Sequence, residues 1–289
     1  MTRIVAVHGV GNHVPGYAAA EVSAERSVRW AADLATGLQL ADPGALDVAY
    51  AYYAPHLHAG VPVAQSDPLA EDALDHLDAD AAQLAAQWLE AVDLPDVTPQ
   101  GRLAVPLRAA VELLAERYSL DGRLTRAFVA VAFPEVARYV RTPDSPARLA
   151  ARDEVARTIA GHRPRVVVAH SLGTVVTYEA LHAHPELSVD LLITLGSPLA
   201  LPNGVFHRLN PAPGAYTGRG IRPPGVARWV NIADRGDPVA VLRPLGDYFT
   251  NVDSDLPDSI APFDFHMATN YLRCPATANA LRAYLGPHQ

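Results

Sequence analysis

Three short segments of this chain consist almost wholly of apolar residues, and they constrain the fold more than any other feature. Residues 4–7 read IVAV, residues 166–169 read VVVA and residues 189–195 read VDLLITL. Strands that are apolar on both sides are typical of a parallel sheet covered by helices on both faces. Helical patterns follow two of them, at about 18–36 and 173–183. The alternation predicts an α/β protein with a doubly wound, mostly parallel sheet, whose ligand site lies at the carboxyl ends of the strands.

Further segments extend this alternation. The remaining predicted elements are strands at 46–52 and 227–232 and helices at 145–161 and 270–285. Ser145 followed by proline is a typical helix start. Two sets of helical residues are expected to share a face: Val28, Ala31, Leu34, Ala35 and Leu38 in the first helix, and Leu272, Ala276 and Leu281 in the last.

The alternation is interrupted between residues 55 and 143. Apolar residues such as Leu84, Trp88, Val111 and Phe128 recur there in helical patterns, with no strand pattern between them. We interpret residues 1–289 as a single α/β domain that carries a helical insertion at 55–143. Either the insertion shields the sheet or it caps an active site, and the sequence leaves both roles open.

Composition excludes several classes of protein. The net charge is −8 and there is no run of lysine and arginine, which argues against a nucleic-acid-binding surface. No apolar stretch reaches the roughly 20 residues that span a membrane, so no integral membrane segment is expected. The first residues lead straight into a strand without a signal-peptide pattern, and the single cysteine, Cys274, suits a reducing compartment. We therefore expect a soluble, cytoplasmic protein, whose oligomeric state cannot be inferred from the sequence.

The segment RVVVAHSLGT at 165–174 places Ser171 between a buried strand and a helix. Residues 169–173, AHSLG, follow the G-x-S-x-G pattern with alanine in place of the first glycine. Small residues are needed on both sides of the serine because the sharp turn brings the strand and helix backbones close together. A serine here is either an exposed nucleophile or the N-cap of the following helix. The strand–turn–helix context favours the nucleophile.

A serine nucleophile needs a histidine base that is oriented by a carboxylate. In this type of site the acid follows the serine in the chain and precedes the histidine. The segment NIADRGDPV, at the end of the strand at 227–232, contains two aspartates that could be this acid. Asp237 is favoured because its Gly-Asp-Pro turn can direct a carboxylate across the strand ends, and Asp234 is the second candidate. The base is expected to be His266, because His288 is the penultimate residue, where disorder is common.

The loop HGVGN at 8–12 follows the first strand and is a candidate oxyanion loop. An oxyanion hole needs two backbone N–H donors, which we assign to Leu172, directly after the serine, and to Val10. The residues expected to contact substrate beside these donors are His8, Gly9 and His170. An alternative for His8, and for His13 nearby, is that it shapes the loop by hydrogen bonding.

No cofactor and no metal are predicted. The loop lacks the third glycine of G-x-G-x-x-G, and no P-loop lysine follows it. The pairs His56/His58 and His182/His184 have a spacing that can chelate a metal, but no cysteine or carboxylate cluster completes either pair.

At these residues the chain resembles the α/β-hydrolase superfamily, in particular its serine esterases and lipases. The segments that carry the resemblance are VAVHGVG, VVVAHSLGT, ITLGSPLALP, NIADRGDPV and FHMATNYL. The resemblance implies an α/β-hydrolase fold and cleavage of an ester, thioester or amide bond in a small-molecule or peptide acyl substrate. An acyltransferase or macrocyclase would use the same acyl-enzyme, and a binding module could keep the fold without catalysis. Both alternatives stay open.

Overall fold

A six-stranded parallel sheet forms the centre of the protein. The computed structural model describes residues 1–58, 69–92, 107–240, 244–260 and 266–285. Its strands are β1 (Thr2–Val7), β2 (Leu46–Ala51), β3 (Val166–His170), β4 (Val189–Leu195), β5 (Gly220–Ile221), β6 (Val226–Asp234), β7 (Phe249–Thr250) and β8 (Ser254–Asp258). The central sheet has the order β2-β1-β3-β4-β6-β8, with every neighbouring pair parallel, and β5 pairs with β7. The predicted α/β class and parallel sheet are confirmed.

Ten α-helices surround the sheet in the described ranges. They are α1 (Ala19–Leu38), α2 (Ala54–His58), α3 (Ala79–Ala91), α4 (Leu107–Arg117), α5 (Gly122–Val140), α6 (Pro146–His162), α7 (Leu172–Ala183), α8 (Leu245–Tyr248), α9 (Ala268–Arg273) and α10 (Pro275–Arg282). The hydroxyl of Ser145 caps α6 by accepting the Arg148 N–H, as the Ser-Pro pair predicts. None of these helices combines the length and apolarity needed to cross a membrane.

Both faces of the sheet's inner strands are buried, which explains why β1, β3 and β4 are mainly apolar. In β1, Ile4 and Ala6 pack into a core with α1, α9 and α10. Val5 and Val7 point the other way, into a core formed with helices α2 to α7. Successive side chains of a strand alternate between its faces, so each strand serves both cores.

The segment between β2 and β3 carries the predicted insertion. The described part of the insertion contains α2 to α5 and a 3-10 turn at Ala73–His76, with no strand. Residues 59–68 and 93–106 of the insertion lie outside the described residues. Helices α3, α4 and α5 pack into the same core as one face of the sheet.

A buried ion pair joins the insertion to the sheet helices. Arg148 of α6 and Glu179 of α7 have fully buried side chains and form a bidentate pair. The Glu179 carboxylate also accepts the hydroxyl of Tyr139 in α5 at 2.7 Å and the Asn210 N–H at 2.9 Å. Arg148 donates to the Arg208 carbonyl at 2.6 Å. The pair therefore holds the segment after β4 against three helices.

Several details differ from the sequence-based expectations. Val28 is 72% exposed rather than buried, and α1 contacts α9 further along, at Asp33 and Gly37. The predicted C-terminal helix is broken at Cys274, which is extended because Pro275 disfavours a helical residue before it.

The break also changes the buried face of the last helix. Ala276 is only half-buried, while Thr277, Ala278 and Leu281 face the core. Strand β8 was not predicted, since its sequence SDLPD is polar and contains a proline, which sheets tolerate at an edge.

Candidate active site

The strand order determines where a site can form. Strand β1 lies between β2 and β3, so the chain first crosses in one direction and then in the other. Ligands of open parallel sheets bind at such a switch point, beyond the carboxyl ends of the strands. The loop after β1 and the turn after β3, which holds Ser171, meet there because Val7 pairs with Ala169.

Ser171 occupies a strained turn between β3 and α7. Its backbone has φ 55° and ψ −131°, a conformation that non-glycine residues rarely adopt. The turn is held by a hydrogen bond from its N–H to the Leu195 carbonyl at 3.0 Å. A Cβ on Gly173 would lie 2.2 Å from the His8 carbonyl oxygen, so only glycine fits there. Ser171 stands at the N-cap position, but its side chain makes no capping hydrogen bond.

The Ser171 hydroxyl instead contacts a histidine. His266 Nε2 lies 2.7 Å from Ser171 Oγ, and His266 Nδ1 lies 2.7 Å from Asp237 Oδ2. An ionised carboxylate only accepts hydrogen bonds, so Nδ1 carries the proton and Nε2 presents its lone pair to the serine. The structure thus brings together the three residues predicted as nucleophile, base and acid.

Asp237 is fully buried and hydrogen-bonded on both carboxylate oxygens. The Tyr271 hydroxyl donates to Oδ2 at 2.7 Å and the Val239 N–H donates to Oδ1 at 2.9 Å. Burial by itself would raise the pKa of Asp237, but its electrostatic interaction with His266 and these hydrogen bonds bring the pKa below its ordinary value. Asp234, the competing candidate, accepts the Gly236 N–H at 3.0 Å and so stabilises the turn. Of the two aspartates, Asp237 is the one that contacts the histidine.

Close packing around the histidine requires a glycine at the end of β4. A Cβ on Gly196 would lie 3.1 Å from Asp237 Oδ2 and 3.2 Å from His266 Cε1, and its φ of +53° also favours glycine. His266 itself has φ 60°. The histidine and the serine are therefore both held in unusual backbone conformations, which tend to cluster at functional sites.

The loop after β1 is tightly ordered by side chains. His8 Nδ1 donates to the Gly9 carbonyl at 2.7 Å, because its Nε2 accepts the Tyr53 N–H at 3.2 Å. Asn12 donates to the Gly9 and Val10 carbonyls at 3.2 and 2.9 Å. In a trans peptide the N–H points opposite to the C=O, so these bonds direct the Val10 N–H away from Asn12.

All three residues predicted to contact substrate, His8, Gly9 and His170, are buried. His8 is 1% exposed, and its ring stacks on Tyr53 at 4.0 Å. Burial lowers the pKa of His8 to about 4, with a further contribution from the positive charge of Arg26. Both ring nitrogens bind backbone atoms, so His8 shapes the loop, which was the alternative interpretation.

His170 lies beneath the His266 ring rather than in the cavity described below. The two ring centroids are 4.8 Å apart, and burial, with a smaller electrostatic contribution from the neighbouring His266, lowers the pKa of His170 well below its ordinary value. Gly9 packs against the serine, since a Cβ there would lie 2.5 Å from Ser171 Cβ. None of His8, Gly9 and His170 is among the residues that line the cavity.

A cavity lined almost entirely by apolar side chains opens beside Ser171. The empty space at this position amounts to about 430 Å³, including the part that is open to solvent. Its lining comes from Val10, Ser171, Leu172, Pro198, Leu201, Val205 and Val239 on the sheet side, and from Leu84, Trp88, Phe128, Ala132, Phe133 and Val136 of α3 and α5. Both residues predicted as oxyanion donors, Val10 and Leu172, therefore border the same space as Ser171.

The insertion contacts the segments that carry the predicted acid, the predicted base and one predicted oxyanion donor. The Trp88 indole N–H donates to the Pro238 carbonyl at 3.0 Å, directly after Asp237. Phe128 meets the His266 ring edge-on, with centroids 5.5 Å apart. Gly11 donates its N–H to Glu135 Oε2 at 3.1 Å. The insertion thus forms one wall of the cavity and supports the loops around it.

Tyr271 and Glu135 contact the site but are not among the residues predicted from the sequence. Tyr271 lies in the quoted segment FHMATNYL, and its contact with Asp237 follows from the start of α9 beside the histidine. Glu135 is the only acidic residue of α5, within an otherwise mainly apolar stretch from Phe128 to Val140. An isolated carboxylate in such a stretch is the signal that would have identified it.

The histidine pairs considered as metal ligands have other partners. His58 binds Glu135, and His182 binds the Ile221 carbonyl at 3.0 Å. Within the described ranges, no group of three or more His, Cys, Asp or Glu side chains is arranged to hold a metal. Comparisons with protein-family models, curated proteins and solved structures found no match to this chain.

Proposed function

We propose that this protein is a serine hydrolase of the α/β-hydrolase type, which cleaves an ester, thioester or amide bond through an acyl-enzyme on Ser171. One observation carries the proposal: a continuous hydrogen-bonded chain from Ser171 Oγ through His266 to Asp237, at a strained turn beside an apolar cavity. No cofactor enters the proposed reaction.

In the first step Ser171 Oγ attacks the acyl carbon while His266 Nε2 takes the hydroxyl proton. The carbonyl oxygen becomes an oxyanion, which the Val10 and Leu172 N–H groups stabilise. Asp237 keeps the Nδ1 proton in place and stabilises the imidazolium that forms. When the bond to the leaving group breaks, His266 returns the proton to that group, and the acyl group remains on Ser171.

In the second step water resolves the acyl-enzyme. His266 takes a proton from the water as its oxygen attacks the acyl carbon, and the same N–H donors stabilise the second oxyanion. Collapse of this intermediate breaks the bond to Ser171 Oγ, which regains its proton from His266. The products are the free acid and the unmodified enzyme.

The cavity supports an apolar, uncharged acyl group as the substrate portion next to Ser171. Every lining side chain other than Ser171 is apolar, and burying a charge among such groups without a partner is costly. Trp88 and Phe133 from the insertion are among these lining residues. We expect activity to rise with acyl length until the chain fills the cavity.

The test is covalent labelling with a fluorophosphonate probe, followed by location of the adduct by mass spectrometry. We expect labelling of the parent at Ser171 and none of a folded Ser171→Ala variant. Hydrolysis of p-nitrophenyl esters with increasing acyl length then tests the substrate class. A folded parent that stays unlabelled by both a large and a small probe would refute the proposal in favour of a non-catalytic binding module. Transfer of the acyl group to an added amine or alcohol in preference to water would identify an acyltransferase.

A further inference from the structure

A buried carboxylate in the insertion has no part in the proposed reaction. Glu135 is 4% exposed and lies in α5 between residues that line the cavity, such as Phe133 and Val136. Burying a carboxylate is costly unless hydrogen bonds and opposite charge compensate it. An apolar side chain would suit this helix face better, so the contacts of Glu135 are informative.

Both oxygens of Glu135 are engaged, and one of them binds the loop after β1. Oε2 accepts the Gly11 N–H at 3.1 Å, and Oε1 lies 2.7 Å from Nε2 of His58 in α2. His13 stacks on His58 with ring centroids 4.4 Å apart. The carboxylate therefore connects two insertion helices to the residue after Val10.

The loop after β1 lies against α5 at Gly11. Gly11 has φ +70°, and a Cβ there would approach Val131 Cγ1 at 3.3 Å. The neighbouring carbonyls are held from the opposite side, by Asn12 and by His8. Because peptides are planar, the two peptide units on either side of Val10 are both fixed in orientation.

We propose that Glu135 is a positioning residue for the oxyanion hole: by binding the Gly11 N–H it holds the Val10–Gly11 peptide against α5, and so fixes the position of the backbone that carries the Val10 N–H. This inference rests on the proposed function, since it concerns the same oxyanion. Glu135 touches neither the substrate nor Ser171. Its effect is exerted through the loop.

The experiment compares oxygen and sulfur esters. The parent and the variants Glu135→Ala and Glu135→Leu are assayed with p-nitrophenyl hexanoate and its thionoester, in which sulfur replaces the carbonyl oxygen. Sulfur is a weak hydrogen-bond acceptor, so an intact oxyanion hole favours the oxygen ester. Glu135→Leu retains the buried volume and keeps the test usable if the alanine variant does not fold.

We expect both variants to lower kcat for the oxygen ester by about 10- to 100-fold with little change in KM, since a displacement of about 1 Å costs about 100-fold. The ratio of oxygen-ester to thionoester kcat/KM should fall by a similar factor. Glu135→Gln, whose amide can still accept the Gly11 N–H and donate to His58, should restore both values to within about threefold of the parent.

A matched control is Glu112→Ala, which removes an exposed carboxylate of α4 that pairs with Arg126 of α5. It should behave like the parent. If the parent hydrolyses esters and is labelled at Ser171 but the Glu135 variants keep the parental oxygen-to-sulfur ratio, the positioning role is wrong and the proposed function stands. An unlabelled, inactive parent would instead overturn the proposed function, and this inference with it.

Discussion

Adding a single methyl group at Gly9 tests the arrangement of the loop and the serine directly. A Cβ at this position would lie 2.5 Å from Ser171 Cβ, 3.1 Å from Ser171 Oγ and 3.2 Å from His170 Nδ1. Carbon atoms in favourable contact are about 3.5–4.0 Å apart, so Gly9→Ala requires a separation of at least about 1 Å. Ser171 is held by its N–H bond to Leu195 and by Thr174, which donates to its carbonyl at 2.9 Å from the backbone N–H. We therefore expect the loop after β1 to move.

The magnitude follows from that displacement. Moving a catalytic group by about 1 Å lowers the rate about 100-fold, which corresponds to about 2.7 kcal/mol of activation free energy. Overpacking by one methyl group should also lower the free energy of unfolding by about 1–3 kcal/mol. The loss of kcat/KM should thus accompany a moderate loss of stability, with the protein still folded.

The assay combines ester hydrolysis with thermal denaturation and fluorophosphonate labelling. Gly161→Ala is the matched control, because a Cβ on this exposed residue of α6 would meet nothing within 4 Å. Alanine there should leave activity unchanged and raise stability by about 0.5–1 kcal/mol. A folded Gly9→Ala variant with kcat/KM within threefold of the parent would refute the reasoning from this contact.

Three further predictions concern buried ionisable side chains. Asp237→Asn should lower kcat by about 10⁴-fold because the proton on His266 is no longer held on Nδ1, and steady-state kinetics with near-parental kcat would contradict this. His8 has a folded-state pKa of about 4, below its unfolded value, so its stabilising contribution is complete above about pH 6.5 and is lost as the pH falls. Urea denaturation should show the parent losing about 2 kcal/mol more than His8→Phe between pH 8 and pH 5, and equal pH slopes would argue against a neutral buried ring. Glu179→Ala should lower the free energy of unfolding by about 3–5 kcal/mol, while Arg148→Met with Glu179→Leu should recover most of it. Equal thermal stability of the single and double variants would contradict the cost of an unpaired buried charge.

Local patterns carried much of the information about the fold. The strand at Val189–Leu195 has the bounds predicted from its apolar run, and the turn at Ser171 lies where small residues separate a strand from a helix. These features depend on neighbours within a few residues, so they can be inferred without knowing the tertiary structure. The break in the last helix is also a local feature, because Pro275 disfavours a helical conformation at Cys274.

Features that depend on distant partners could not be inferred in the same way. Whether His8 contacts substrate or shapes the loop depends on Tyr53, which is 45 residues further along the chain. The bond from Gly11 to Glu135 spans 124 residues and links two elements whose packing no local pattern specifies. Strand β8 lies at an edge of the sheet, and its polar sequence has neither the apolar run nor the alternation that identified the other strands of this sheet.

The contacts of the insertion bear on the two roles that its sequence left open. A cap that swings away as a unit would have to break the Trp88–Pro238 and Glu135–Gly11 hydrogen bonds and separate Phe128 from the His266 ring. Each hydrogen bond contributes about 0.5–1.5 kcal/mol, and the apolar cavity wall of α3 and α5 would become exposed as well. These costs fall on the segments that orient the proposed acid, base and oxyanion donor. We therefore interpret α3 and α5 as a fixed wall of the site, so that repacking their cores should alter kcat as well as the acyl length that the cavity accepts.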